Sequence, residues 1–166
     1  MMRKRFPIDL PDVNVLVALF DPAHVYHAVA HEWFAEARQK AWATCPLTQS
    51  GFLRVVTSPA YPNRRLTLTE AALHLRHLIA NHAETHRFFY DNTSLIDSTR
   101  FDLGKLLGHR QITDLHLLGI CLRFHARLVT FDKGIITLTS ALVAGSVEIL
   151  LPVSYTHLTL PTNREV

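Results

Sequence analysis

The chain has 166 residues, of which 48% are hydrophobic and 19% charged, and a net charge of +3 from 17 Lys and Arg against 14 Asp and Glu. That is one domain's worth of chain with enough apolar content for a sizeable core, and so low a charge excludes the disordered and fibrous classes. Cys45 and Cys121 both sit in apolar runs, which excludes a disulfide scaffold and points to reduced core thiols in a cytoplasmic protein.

No apolar stretch reaches the roughly 18 residues that span a bilayer, so no membrane is expected as a partner. The basic start Met1–Pro7 is followed by Asp9 and Asp12 rather than by an uninterrupted apolar segment, so secretion is not expected either. Ile8–Leu10 reads as a short strand, and Val13–Phe20 as a buried helix whose β-branched content leaves a strand open. Asp21-Pro22 reads as a helix start, with Asp as the cap and Pro in the first turn. The helix is expected over His24–Gln39, with Val25, Ala28, Val29, Trp33 and Phe34 inward. Trp42–Cys45 reads as a strand and Pro46–Thr57 as a helix, while the two prolines in 58–63 require a loop. Thr67 and Glu70 form a capping box for a helix through about Asn81.

His86–Tyr90 is a third strand, followed by a polar loop over Asp91–Ser98. Helix signals follow at Phe101–Leu107 and Thr113–Phe124, then strands at Arg127–Phe131 and Val147–Leu151. Strands alternating with helices imply an α/β fold with a mainly parallel sheet covered on both faces. The domain is taken as residues 1–152. Residues 153–166, polar and Thr-rich, are read as a tail left by cloning and set aside.

In such a sheet the ligand crevice lies at the carboxyl ends of the strands. Asp12 follows the first strand, Asp132 follows the fourth, and Asp114 sits in the first turn of the helix from Thr113. Each has an ordinary structural reading as a helix cap, a dipole partner or a turn residue. Together they form a candidate site: carboxylates in one crevice raise one another's pKa, and a hard divalent cation, Mg²⁺ or Mn²⁺, relieves the repulsion. Such a cation suits phosphodiester hydrolysis, in which it activates a water and neutralises developing charge.

Four ordered blocks carry a family likeness: Asp12-Val13-Asn14 through Asp21 with His24, His27, His31 and Trp33-Phe34; Cys45–Val55; Gly108–Asp114; and Arg127–Gly134. The chain resembles PIN-domain proteins over about residues 8–151, and the VapC-type toxins of type II toxin–antitoxin pairs in particular. The resemblance implies a PIN-like three-layer α/β/α sandwich and a Mg²⁺- or Mn²⁺-dependent endoribonuclease acting on single-stranded RNA. It also implies a homodimer and a cognate antitoxin protein as partner. Asp12, Asp114 and Asp132 then become the catalytic, metal-binding carboxylates, with Thr130 and Asn14 supporting them. The family usually carries a glutamate in the second block, where this chain has Gln49, so Gln49 is expected to line the site with weaker metal affinity. A catalytically weak PIN-like module that binds RNA or protein is the alternative this departure favours.

Arg54, His109 and Arg110 fall inside the matched blocks and are the candidates for binding RNA phosphates. His24, His27 and His31 share the spacing of one helix face, and a surface or phosphate-facing role is favoured over a zinc-binding one. His74, His77, His82 and His86 are read as surface residues.

Overall fold

The computed structural model describes residues 7–151. Five parallel strands form one sheet in the order β3-β2-β1-β4-β5. They are β1 (Asp9–Pro11), β2 (Trp42–Thr44), β3 (His86–Phe88), β4 (Arg127–Val129) and β5 (Ile149–Leu150). The α-helices are α1 (Val13–Phe20), α2 (His27–Ala37), α3 (Pro46–Val56), α4 (Leu68–Asn81) and α5 (Ile112–Phe124). Three-ten segments cover Leu103–Lys105, His109–Gln111 and Lys133–Ala141. The tail over 153–166 lies outside the described residues.

The pleat of the short strands divides the core. Leu10, Ala43 and Leu128 face α5 and pack with Leu115, Leu118 and Cys121. Trp42 and Val129 face the other way, onto Val15, Ala18 and Phe34 of α1 and α2. A third cluster joins α1 to α3 and α4 through Leu16, Phe52, Val56 and Leu75. Helices therefore cover both faces of the sheet, the α/β/α sandwich of the PIN-like class. Because adjacent strand residues point to opposite faces, the central strands β1 and β2 are buried at every position, as parallel strands covered on both sides are.

Local chemistry sets the element ends. Thr67 Oγ1 accepts from the Glu70 N–H while Glu70 accepts from the Thr67 N–H, and α4 runs to Asn81 as expected. Pro46 opens α3, with the Thr48 hydroxyl accepting the Cys45 N–H. Gly51 is needed there: a Cβ on it would stand 2.4 Å from Val13 Cγ2, so α1 and α3 meet at backbone distance.

Several expectations need correction. Asp21 does not start α2. It ends α1 and accepts the Ala23 N–H in a turn, and α2 begins at His27. Val25 consequently precedes the helix and is 83% exposed rather than inward. The Asp21 carboxylate is instead held by Tyr61 and Asn63 of the 58–63 loop. The helix expected over Phe101–Leu107 shrinks to Leu103–Lys105, because Phe101 is drawn into a bridge with Leu142.

The histidines also differ from their sequence reading. His27 Nδ1 and His31 Nε2 donate to the carbonyls of Ala18 and Leu19, at 2.7 and 2.9 Å. They satisfy the open C-terminal end of α1 instead of facing phosphate. His86 is not a free surface residue. Its ring stacks edge-on against Trp42, its Nε2 meets the Thr44 hydroxyl at 2.9 Å, and burial pushes its pKa down to about 4.

Candidate functional site

Asp12 stands where β1 turns into α1 and is 7% exposed. Its backbone N–H bonds to Val129 of the neighbouring strand, which fixes the turn between β1 and α1 against β4. Its Oδ1 caps α1 by accepting the Val15 N–H at 2.9 Å, and its Oδ2 accepts the Thr130 hydroxyl at 2.6 Å. Thr130 is fully buried, and its oxygen also accepts the Asp132 N–H at 3.0 Å. One hydroxyl, 118 residues from Asp12 in sequence, thus ties the acid after β1 to the acid after β4.

Asp132 opens the Lys133–Ala141 segment, with its Oδ1 accepting the Gly134 N–H at 2.8 Å, and is exposed. Asp114 sits in the first turn of α5, half-buried. The three carboxyls lie within electrostatic reach. Burial pushes the Asp12 carboxyl up to about 6; its two hydrogen bonds resist the rise, and the charges of Asp114 and Asp132 add to it. Burial, then the charge of Asp132, raises Asp114 as well.

The donor set is three carboxylates with no thiolate, the chemistry of a hard cation such as Mg²⁺. Among the described residues no three His, Cys, Asp or Glu side chains stand close enough together to hold one metal ion between them. An open set fits Mg²⁺ nonetheless, since that ion keeps several waters and takes only one or two protein carboxylates.

The remaining sequence candidates divide. Asn14, on the first turn of α1, is exposed and makes no hydrogen bond to Asp12; Thr130 and the Val15 N–H hold that carboxylate instead. Gln49 is partly buried on α3 and gives its amide to the Thr44 hydroxyl at 2.9 Å. The same hydroxyl meets His86 Nε2 at 2.9 Å, so Gln49, Thr44 and His86 form one hydrogen-bonded chain. His109 and Arg110 are exposed in the turn that leads into α5, just ahead of Asp114. Arg54 is exposed on α3.

Sequence reasoning did not bring Tyr26 and Phe131 together beside Asp132. Their rings stack at 4.5 Å, and both belong to one cleft with Asp132. The signal was faint: an aromatic directly before Asp132 at the end of β4, and another far upstream.

Comparison with known proteins adds an independent line. Residues 10–139 match the family model described as PIN domain. The chain is 43% identical over 142 residues to Ribonuclease VapC38 of Mycobacterium tuberculosis, covering 85% of this chain and 96% of that protein. It is 38% identical over 126 residues to Ribonuclease VapC44 of the same species, covering 76% and 87%. It is 36% identical over 141 residues to Ribonuclease VapC39, covering 85% and 98%.

Proposed function

The chain belongs to the PIN-domain family, among its VapC-type members, and on that premise we propose that it is a metal-dependent endoribonuclease. In this reading it hydrolyses phosphodiesters of single-stranded RNA as the toxin of a type II pair, held in check by a cognate antitoxin protein. It works in the cytoplasm as a homodimer whose domain is residues 1–152, with 153–166 an appended tail. The observation that carries the reading is Asp12: a buried carboxyl, tied through Thr130 to Asp132, raised to about 6 by burial and by the charges of Asp114 and Asp132.

Asp12, Asp114 and Asp132 are the residues that would hold Mg²⁺ or Mn²⁺. A divalent ion there supplies a more acidic water and neutralises charge on the phosphate. Thr130 orients Asp12, leaving lone pairs on both carboxylate oxygens, and ties Asp132 to the same anchor. This pre-sets the acids without a lid or a mobile loop. Asp114 enters from α5, so the bed for the phosphate is built from three separate chain segments. Arg110 and Arg54 supply positive charge toward the RNA backbone, and His109 a ring N–H, which gives affinity without reading sequence. Gln49 adds no charge where the family usually has an acid, and its amide is committed to Thr44. The metal affinity is therefore weaker than that of members with four acids.

The test is cleavage of a labelled single-stranded RNA in Mg²⁺. Cleavage that EDTA stops and that Asp114→Asn removes supports the reading; cleavage unchanged by either refutes it. RNA bound but uncut at saturating Mg²⁺ and Mn²⁺ would favour a binding module instead, the reading that Gln49 in place of an acid supports.

A further inference from the structure

Beside Asp132 lies a feature that phosphodiester hydrolysis leaves unexplained. A cleft of about 610 Å³ opens at the carboxyl edge, walled by Asn14, His24, Tyr26, Phe131, Asp132 and Lys133. That is within the roughly 300–1,000 Å³ of small-ligand clefts. Three of its walls are rings: Tyr26 stacks on Phe131 at 4.5 Å and 26°, His24 lies 6.4 Å and 28° from Phe131, and His24 and Tyr26 are tilted 46° to each other at 5.9 Å. Phe131 is 5% exposed and forms the back of the slab, while the half-buried His24 presents its outer surface. His24 is fixed in place because its Nδ1 accepts the Tyr26 N–H at 3.1 Å. The turn set by Asp21 at Ala23 is what folds the two rings together.

On the rim stands Asn14. It is exposed, and its amide makes no hydrogen bond among the described residues. An amide offers a donor and an acceptor side by side, the pairing that a base edge requires. An aromatic wall with the His24 ring outermost, an amide at its border and a carboxylate of the candidate cleavage site on the same wall describe a slot for a flat heterocycle attached to a phosphate chain.

We propose that this cleft is a nucleobase subsite, which takes one unpaired base next to the scissile phosphate, stacked on the His24 ring beside Tyr26 with Asn14 at its edge. The inference rests on the nuclease reading and extends it. A base inserted here cannot be paired, so the preference for single strands becomes a property of the slot rather than of the acids. Stacking accepts any base face, so His24 and Tyr26 supply affinity and Asn14 the discrimination.

The test walks one abasic ribose along a synthetic RNA and reads two quantities for wild type, His24→Ala and Asn14→Ala. The first is the cleavage rate in Mg²⁺. The second is fluorescence in EDTA of the same strand carrying 2-aminopurine at each position. In wild type, one position fixed relative to the cut should lose about tenfold or more in rate when abasic, and 2-aminopurine at that position should be quenched on binding. His24→Ala should cut intact and abasic strands alike and lose the quench. Asn14→Ala, an exposed change that leaves the rings in place, should keep the quench and flatten the preference among bases. A flat walk with cleavage intact overturns the subsite while the nuclease reading stands, and gives the ring slab to a side chain of a protein partner. Position-specific quenching in a protein that cuts nothing keeps the subsite and removes the nuclease reading.

Discussion

Strand β1 carries a buried aspartate at its start and another just past its end, and the two are treated oppositely. Asp9, 4% exposed, receives two hydrogen bonds from the Arg127 guanidinium, at 2.8 and 3.2 Å, and a third from Trp33 Nε1 at 2.9 Å. Its charge is matched by a cation from β4, and Arg127 reaches on to Glu148 ahead of β5. Asp12, three residues later, has a hydroxyl and one backbone N–H, and the nearby charges acting on it are two more acids. Burying a carboxylate without an opposite charge is costly, and the carboxyl responds by shifting its pKa upward. The buried charge at the amino end of the sheet is thus matched within the chain, whereas Asp12 at the carboxyl end faces like charges. In the proposed reading that asymmetry, rather than the bare presence of acids, sets Asp12 apart from the structural Asp9.

The largest effects come from exchanging the two. Asp12→Asn should lower cleavage on the order of 100-fold or more, the scale of losing one preorganised charge contact, while circular dichroism stays native. Asp9→Asn should do the reverse. It leaves the Arg127 guanidinium with a neutral partner in a largely buried setting and destabilises the fold by about 3 kcal/mol, read as a shift in urea midpoint. Its residual cleavage per folded molecule should be unchanged. Equal activity losses in the two variants would erase the distinction.

A pH series in EDTA sharpens it further. The folded Asp12 carboxyl titrates near 6 against an ordinary value of 3.8, so its contribution to stability is fully present below about pH 4 and is lost as pH rises through 6. Above pH 6, Asp12→Asn should be more stable than wild type by about 1–2 kcal/mol once a lost hydrogen bond is subtracted, and the difference should close below pH 4. His86 runs the opposite way. Its folded pKa near 4 lies under the ordinary 6.5, so its contribution is present above pH 6.5 and fades as pH falls through 4. His86→Gln should remove that acid-side loss without touching the Asp12 trend.

The smallest effect sets the baseline. Arg100 and Asp97 form an ion pair at 3.7 Å with side chains 62% and 39% exposed. Arg100→Ala should change the urea midpoint by less than about 0.5 kcal/mol. A larger change would mean that surface pairs matter more here than the contrast between Asp9 and Asp12 assumes.

Much of this was legible in the sequence, and the misses share a cause. The alternation of short apolar runs with helical ones located all five strands to within a residue or two, and the Thr67–Glu70 box located α4, because caps and periodicity are local. Asp12, Asp114 and Asp132 stand out as candidates because strand ends and helix starts mark the crevice of a parallel sheet. The Asp9–Arg127 pair joins residues 118 apart, and nothing local announces it. Asp21 carries every mark of a helix cap, yet its carboxylate is claimed by Tyr61 and Asn63, 40 and 42 residues away. His27 and His31 have the spacing of a ligand pair, but α1 ends beneath them with carbonyls to satisfy. Phe101–Leu107 has a helical pattern, and Leu142 overrides it. In each case a long-range partner outbid a local signal.

Calorimetric titration of Mn²⁺ into the purified protein at neutral pH, repeated with Asp12→Asn and Asp132→Asn, tests the central claim most directly. The account predicts saturable binding in wild type that both substitutions abolish, although the two residues lie 120 positions apart in the chain. Identical isotherms for the three proteins would contradict it.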